Sequence, residues 1–322
     1  MEARPSASAA EAAALAANKA PEGPCAGKPE GAHICDGARL LRCTADPAKL
    51  EEVKTCLDIE RCSDKDGACA PACPEGEVYI PATGPQGFTM GAGVRGRADV
   101  PHRVILTKPF CIDATEVTVK SMVRCVAEQG CVEPKAREVW ATYPRKPDYP
   151  VNMVSWPKAK LFCEKNGKSL PTEAQWEWAA TGGTGRKWPW GDEKPTCEHT
   201  DFTKDKLVSP GGDSGCHGGG PSPVGTHPLG AKEWPAGKIH DLAGNVWEWV
   251  LDSYAAYSGK DEVDPLYLRA EVGLHVVRGG GWNRSWRGIL SAYRGAAIYT
   301  YQVPGLGFRC VRNPAAPAAK PG

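Results

Sequence analysis

Ser169-Leu170-Pro171-Thr172-Glu173-Ala174-Gln175-Trp176-Glu177-Trp178 reads as the start of a short helix. Thr172 is a good N-cap. Gln175, three residues on, completes a capping box, in which two side chains satisfy backbone N–H groups at the helix start. Trp176 and Ala180 lie four apart and share one buried face. Gly182-Gly183 ends the helix. Upstream, Ser155 caps another helix with Pro157 in its first turn, running to Asn166 and stopping at Gly167. Thr118 to Gln129 is a further helix, with Val119, Met122, Val123 and Val126 on one face. Around these lie short strand-like runs: Glu77-Val78-Tyr79-Ile80, Phe88-Thr89-Met90, His102 to Leu106 and Phe110-Cys111-Ile112. Beyond the helices come loops and short strands, with no βαβ rhythm, heptad or internal repeat. The class this predicts is α+β, compact and loop-rich.

Composition agrees. Gly (37) and Pro (29) are abundant among 322 residues, which favours irregular structure over a bundle. The formal net charge of +1 gives no field for nucleic acid or an anionic membrane, and no apolar run is long enough to cross a bilayer. Residues 1–24 are small and polar and read as a disordered linker, suited to an N-terminal tether. No signal peptide is visible there, and a targeting segment is inferred to have been removed.

The fourteen cysteines are even in number and spread along the chain, which points to disulfides and an oxidising compartment: secreted, periplasmic or cell-surface. Cys25, Cys35, Cys43, Cys56, Cys62 and Cys69 mark residues 25–72 as a disulfide-rich module too small to build its own core. Six cysteines allow fifteen connectivities, and the sequence does not choose among them. A tetrahedral zinc site from Cys197, His199, Cys216 and His217 is a rival by ligand type, although a disulfide is simpler.

Eight phrases in order carry a resemblance. They are Phe88-Thr89-Met90-Gly91, Asp113-Ala114-Thr115-Glu116-Val117-Thr118, Pro150 to Trp156, the Ser169–Trp178 run, Trp188-Pro189-Trp190-Gly191, Asp241-Leu242-Ala243-Gly244-Asn245-Val246-Trp247-Glu248-Trp249, Arg278-Gly279-Gly280-Gly281-Trp282 and Gly307-Phe308-Arg309-Cys310. Together they make residues 73–322 resemble the formylglycine-generating enzyme, or sulfatase-modifying factor, family. The resemblance implies a C-type-lectin-like core and bound calcium. It assigns calcium ligands to Asp241, the carbonyls of Gly244 and Val246, and Glu248, a mixture of hard oxygens that suits this ion. A second calcium site falls on Asp201, Phe202 and a residue near Asp213 or Ser214. The resemblance also pairs Cys163 with Cys310. Cys125–Cys131 and Cys197–Cys216 are expected as local bridges, with Cys73–Cys111 joining the first strand to the core.

The family's reaction oxidises a cysteine in a substrate peptide, using copper held by two thiolates. By position those thiolates fall at Arg284 and Ile289, and no cysteine stands between Cys216 and Cys310. Soft donors select Cu(I), and neither Arg nor Ile is one; no copper is expected. What remains is an Arg/Trp/Tyr-rich face over 282–301, residue types that dominate binding hot spots. Trp282, Asn283, Arg284, Trp286, Arg287, Tyr299 and Tyr301 are its candidate ligand-binding residues. The expectation is a non-catalytic binding module for a peptide, glycan or partner protein. The alternatives are an enzyme with non-cysteine chemistry in the same groove, and a diversified ligand-binding protein whose 283–301 loop varies between copies.

Overall fold

The computed structural model describes residues 23–314, apart from 37, 58–59, 64–67, 92–98, 137–138, 204–215, 217–218 and 270–272. The linker expected over 1–24 therefore falls almost wholly outside the described residues, as do Asp213, Ser214 and His217. The chain divides into two compact units, one ending at Ala72 and the other running from Cys73 to Pro314.

The first unit holds a three-stranded antiparallel sheet (His33–Asp36, Arg39–Cys43, Leu50–Thr55) and a hairpin (Glu60–Ser63 with Ala68–Pro71). Its six cysteines pair Cys25–Cys43, Cys35–Cys62 and Cys56–Cys69. The buried interior is mostly these bridges with Ile34, Leu40 and Leu41, as befits a segment too short to bury much apolar surface.

The second unit is built around a four-stranded sheet in the order Gly295–Ile298, Leu274–Arg278, Trp247–Ser253, Leu306–Phe308. The first three strands are antiparallel, and Leu306–Phe308 joins parallel to Trp247–Ser253. Alternation along Trp247–Ser253 sorts its side chains. Trp247 and Trp249 face one core, shared with α1 (Val119–Gln129) and α2 (Trp156–Lys165). Glu248 faces the other way, toward Trp176 on α3 (Glu173–Thr181). Cys163–Cys310 staples α2 to the last strands, Cys73–Cys111 ties the start of the unit to Phe110–Asp113, and Cys125–Cys131 and Cys197–Cys216 close local loops. The Cys197–Cys216 bridge removes the thiolates that the zinc alternative requires. Among the described residues no helix is long and apolar enough to cross a membrane.

The three helices begin where their caps stand. Thr118 Oγ1 accepts from the Ser121 N–H, and Thr172 and Gln175 form a complete capping box. Ser155 precedes α2 but makes no side-chain cap bond. The apolar stripe on α1 is Val119, Met122 and Cys125 rather than one that includes Val123, which is 39% exposed. The buried face runs through Cys125, two residues on from Val123, with Val126 packed partly buried against the same core.

Three arginines with almost no exposure lie inside this unit. Arg309 grips Glu248 with both prongs, at 2.7 Å each, and Trp176 Nε1 donates to the same carboxylate at 2.8 Å. Arg294 grips Glu173 at 2.6 and 2.7 Å. Arg278 pairs with Glu177, whose other oxygen accepts the Gly91 N–H. A buried guanidinium is tolerable only when paired in this way. The Glu173 and Glu177 pairs tie α3 to Arg294 and Arg278, while the Glu248–Arg309 pair ties the central strand to the segment after Leu306–Phe308, with Trp176 of α3 bonded to the same carboxylate.

Candidate functional site

The sharpest local geometry is the turn Asp241–Val246. Asp241, Gly244 and Asn245 all have positive φ (59°, 82° and 50°). Gly244 is required on a second count, because a Cβ there would run into Thr200 Oγ1 and the Asp201 carbonyl. Backbone bonds knit the turn inward: Gly244 N–H donates to Gly279, and Asn245 N–H to Asp201. The Ala243 and Asn245 carbonyls are used inside the fold, accepting from Thr200 Oγ1 and the Trp282 N–H.

Acidic groups crowd this turn. Asp241 and Glu116 are buried, and among the described residues Asp241 Oδ1 and both Glu116 oxygens lack hydrogen-bond partners. Burial, then the neighbouring Asp241 carboxylate, holds Glu116 well above the usual carboxylate range. Burial also raises Asp241, against the Gly225 N–H that donates to its Oδ2. His227 lies between the two expected calcium sites, with Nε2 3.9 Å from Asp201 Oδ1 and Nδ1 4.0 Å from Asp241 Oδ1. The turn therefore brings Asp241 and Asp201 together. Glu248 stands apart from them in use: its carboxylate is taken by Arg309 and Trp176, a partnership that sequence reasoning did not foresee. The signal for it was Arg309 in a run of small and apolar residues.

Above the turn lies a groove of about 510 Å³. Trp247, the residue after the turn, forms one wall with Tyr293, ring centres 6.0 Å apart. Trp282 forms the other and is braced by Trp140 at 5.6 Å. Gly295 lies in the floor, where any Cβ would strike Val277 and the Trp247 ring. Asn152 fixes the rim by donating to the carbonyls of Trp140 and Pro304, at 2.8 and 2.7 Å. The Trp282 N–H bond to Asn245 and the Trp247 N–H bond to Gly305, both 2.8 Å, couple the groove to the turn.

Of the seven candidate ligand residues, Trp282, Asn283, Arg284 and Tyr301 line this groove. Trp282 Nε1, Asn283 Oδ1 and Arg284 Nε are buried polar atoms without a partner among the described residues. The Arg284 guanidinium lies 5.6 Å from the Trp247 ring centre. The other three go elsewhere, so the face does not act as a single patch. Trp286 packs toward Trp188, Arg287 lies over Trp286, and Tyr299 is half-buried against the α1/α2 core. Trp247 and Tyr293 line the groove as well, outside the seven candidates. Ile289 is completely buried among Trp188, Phe202 and Ala243. All fourteen cysteines are in disulfides, so neither the groove nor its surroundings offer a thiolate.

Residues 70–314 match the sulfatase-modifying factor enzyme 1-like domain family. An inactive C-alpha-formylglycine-generating enzyme 2 of Bos taurus is 35% identical over 185 residues, 53% of this chain and 53% of its own. The match thus spans about half the length of that relative. A formylglycine-generating enzyme of Streptomyces coelicolor is 27% identical over 304 residues, covering 76% of this chain and 92% of its own. Among solved structures, PvdO from Pseudomonas aeruginosa shares the fold, with a TM-score of 0.57 at 24% identity over 75% of this chain and 95% of that one.

Proposed function

The chain belongs to the sulfatase-modifying factor enzyme 1-like family, and within it we propose an extracytoplasmic, calcium-stabilised binding module without catalytic activity. It takes an extended polypeptide into the groove between Trp247, Trp282, Tyr293 and Tyr301. The observation that carries this reading is the trio of buried, unpartnered atoms at the groove: two donors, Trp282 Nε1 and Arg284 Nε, and one acceptor, Asn283 Oδ1. Buried polar groups cost free energy until they are paired. Donors and an acceptor side by side match the alternating C=O and N–H of a peptide backbone, and the aromatic walls suit its side chains. The family resemblance puts the copper thiolates at Arg284 and Ile289, neither a soft donor, and Ile289 is sealed in core, which supports binding without thiol oxidation. Seven disulfides support the extracytoplasmic setting.

Calcium fits the turn in a modified form. Asp241 Oδ1 and the Glu116 carboxylate are buried and unpartnered, and the one arginine beside them is committed to Glu248. A hard cation would balance that surplus of negative charge. Asp241, Glu116 and the carbonyls of Gly244 and Val246 would hold it, with Glu248 left to Arg309. The ion would supply neutralisation and rigidity, fixing the backbone from which Trp247 and Trp282 project.

The test is selection from a displayed library of random linear peptides on the immobilised protein in calcium. Enrichment that disappears with Arg284→Ala and Tyr301→Ala supports the proposal. No enrichment, or enrichment indifferent to both changes, overturns it.

A further inference from the structure

A second cavity, of about 430 Å³, lies apart from the groove, behind α3. Trp188, Trp286 and Leu290 make its walls, and Glu177 lies in its lining with both oxygens already taken by Arg278 and the Gly91 N–H. Trp188 is 1% exposed and its Nε1 has no hydrogen-bond partner among the described residues, a buried donor that a ligand oxygen would satisfy. Arg186, Lys187 and Lys194 stand around the cavity, and among the described residues none forms an ion pair with a carboxylate. Among the described residues Asp192 is the only acid in the lining besides the saturated Glu177, and it accepts the Lys187 backbone N–H. The surplus is felt beyond the cavity: burial, and then the charge of Arg186, pushes the Lys232 ammonium below its usual range.

We propose that this cavity is a binding site for a small organic anion with a flat aromatic body, of the aryl carboxylate class. The body lies against Trp286 and Leu290, an oxygen takes the Trp188 N–H, and the carboxylate meets the cationic rim. Arg186 donates to Thr184 Oγ1 and the Pro189 carbonyl, so its charge has no carboxylate partner among the described residues. Stacking on an indole and attraction to cations that lack an ion-pair partner act together on such a ligand, whereas a neutral aromatic gains only the first. The site is independent of the groove, because no residue lines both.

Isothermal titration of the full chain with 2-naphthoate, and with the neutral 2-naphthalenemethanol, tests this at low salt. One naphthoate per chain is expected, with the alcohol weaker by about tenfold, the worth of two exposed ion pairs. The exposed pair Lys187→Gln/Lys194→Gln should weaken naphthoate by a similar factor without affecting the fold. Ala292→Phe, which fills the cavity, should abolish binding, and Tyr301→Ala in the groove should leave it unchanged. No binding at millimolar naphthoate, equal affinity for acid and alcohol, or loss in Tyr301→Ala with retention in the lysine variant would each overturn the assignment.

Discussion

Changing Glu248→Gln separates two accounts of the most buried carboxylate in the sheet. The Glu248 side chain accepts three bonds, two from Arg309 at 2.7 Å and one from Trp176 Nε1 at 2.8 Å, and none of the three residues is exposed. A glutamine has one acceptor oxygen, so at least one charge-assisted bond becomes a donor facing a donor. Each such bond contributes about 1.5–3 kcal/mol, and stranding a buried partner costs about 3–5 kcal/mol. Glu116 and Asp241 also favour the Arg309 charge, so the lower end, about 3 kcal/mol, is expected. At about 2–4 °C per kcal/mol for a unit of this size, Tm should fall by about 10 °C. The assay is thermal unfolding with disulfides intact, in excess calcium and in a chelator. Since Glu248 is committed to Arg309, the loss should be the same in both. A loss below 1 kcal/mol, or one seen only in calcium, would refute the assignment of this carboxylate to the arginine.

Glu116→Gln should raise Tm in chelator at pH 8 and shrink the increment that calcium adds. Burial and Asp241 raise the Glu116 carboxyl in the folded chain, so its ionisation costs stability as pH rises; an unchanged calcium increment would exclude it as a ligand. Asp252 is pushed to about 7, by burial first and then by the Glu173 charge, although the Tyr267 and Glu173 N–H groups donate to it. A raised carboxyl stabilises fully below its unfolded value of 3.8 and loses that contribution as pH climbs through 7. Over these three units the loss is about 4 kcal/mol. Urea unfolding from pH 4 to 8 should therefore fall more steeply for the wild type than for Asp252→Asn, and parallel curves would refute the linkage.

Much of the scaffold was legible because local rules act alone there. The Thr172–Gln175 capping box and the glycine at residue 182 bound α3 without help from tertiary structure. The eight ordered phrases identified the family. What escaped was set by partners distant in sequence. Val123 belongs by spacing to the α1 stripe, but the face that meets the core runs through Val119, Met122 and Cys125 and leaves it exposed. Glu173, Glu177, Arg278, Arg294 and Arg309 carry surface chemistry and sit in the core, where only their mutual pairing makes burial tolerable. Two glutamates at i and i+4 on a helix otherwise rich in Ala and Trp were the available sign. The 282–301 stretch read as one face because its residues are contiguous. Its turns instead send Trp282, Asn283, Arg284 and Tyr301 to one cavity and Trp286 to another.

The central claim is that the groove holds a polypeptide and does not oxidise it. Copper-treated protein incubated with a cysteine-containing peptide in air, followed by mass spectrometry of the peptide and metal analysis of the protein, tests that claim directly. The account predicts peptide recovered with its thiol side chain unconverted, and no stoichiometric copper on the protein. An aldehyde in place of the thiol, with one copper per chain, would contradict it.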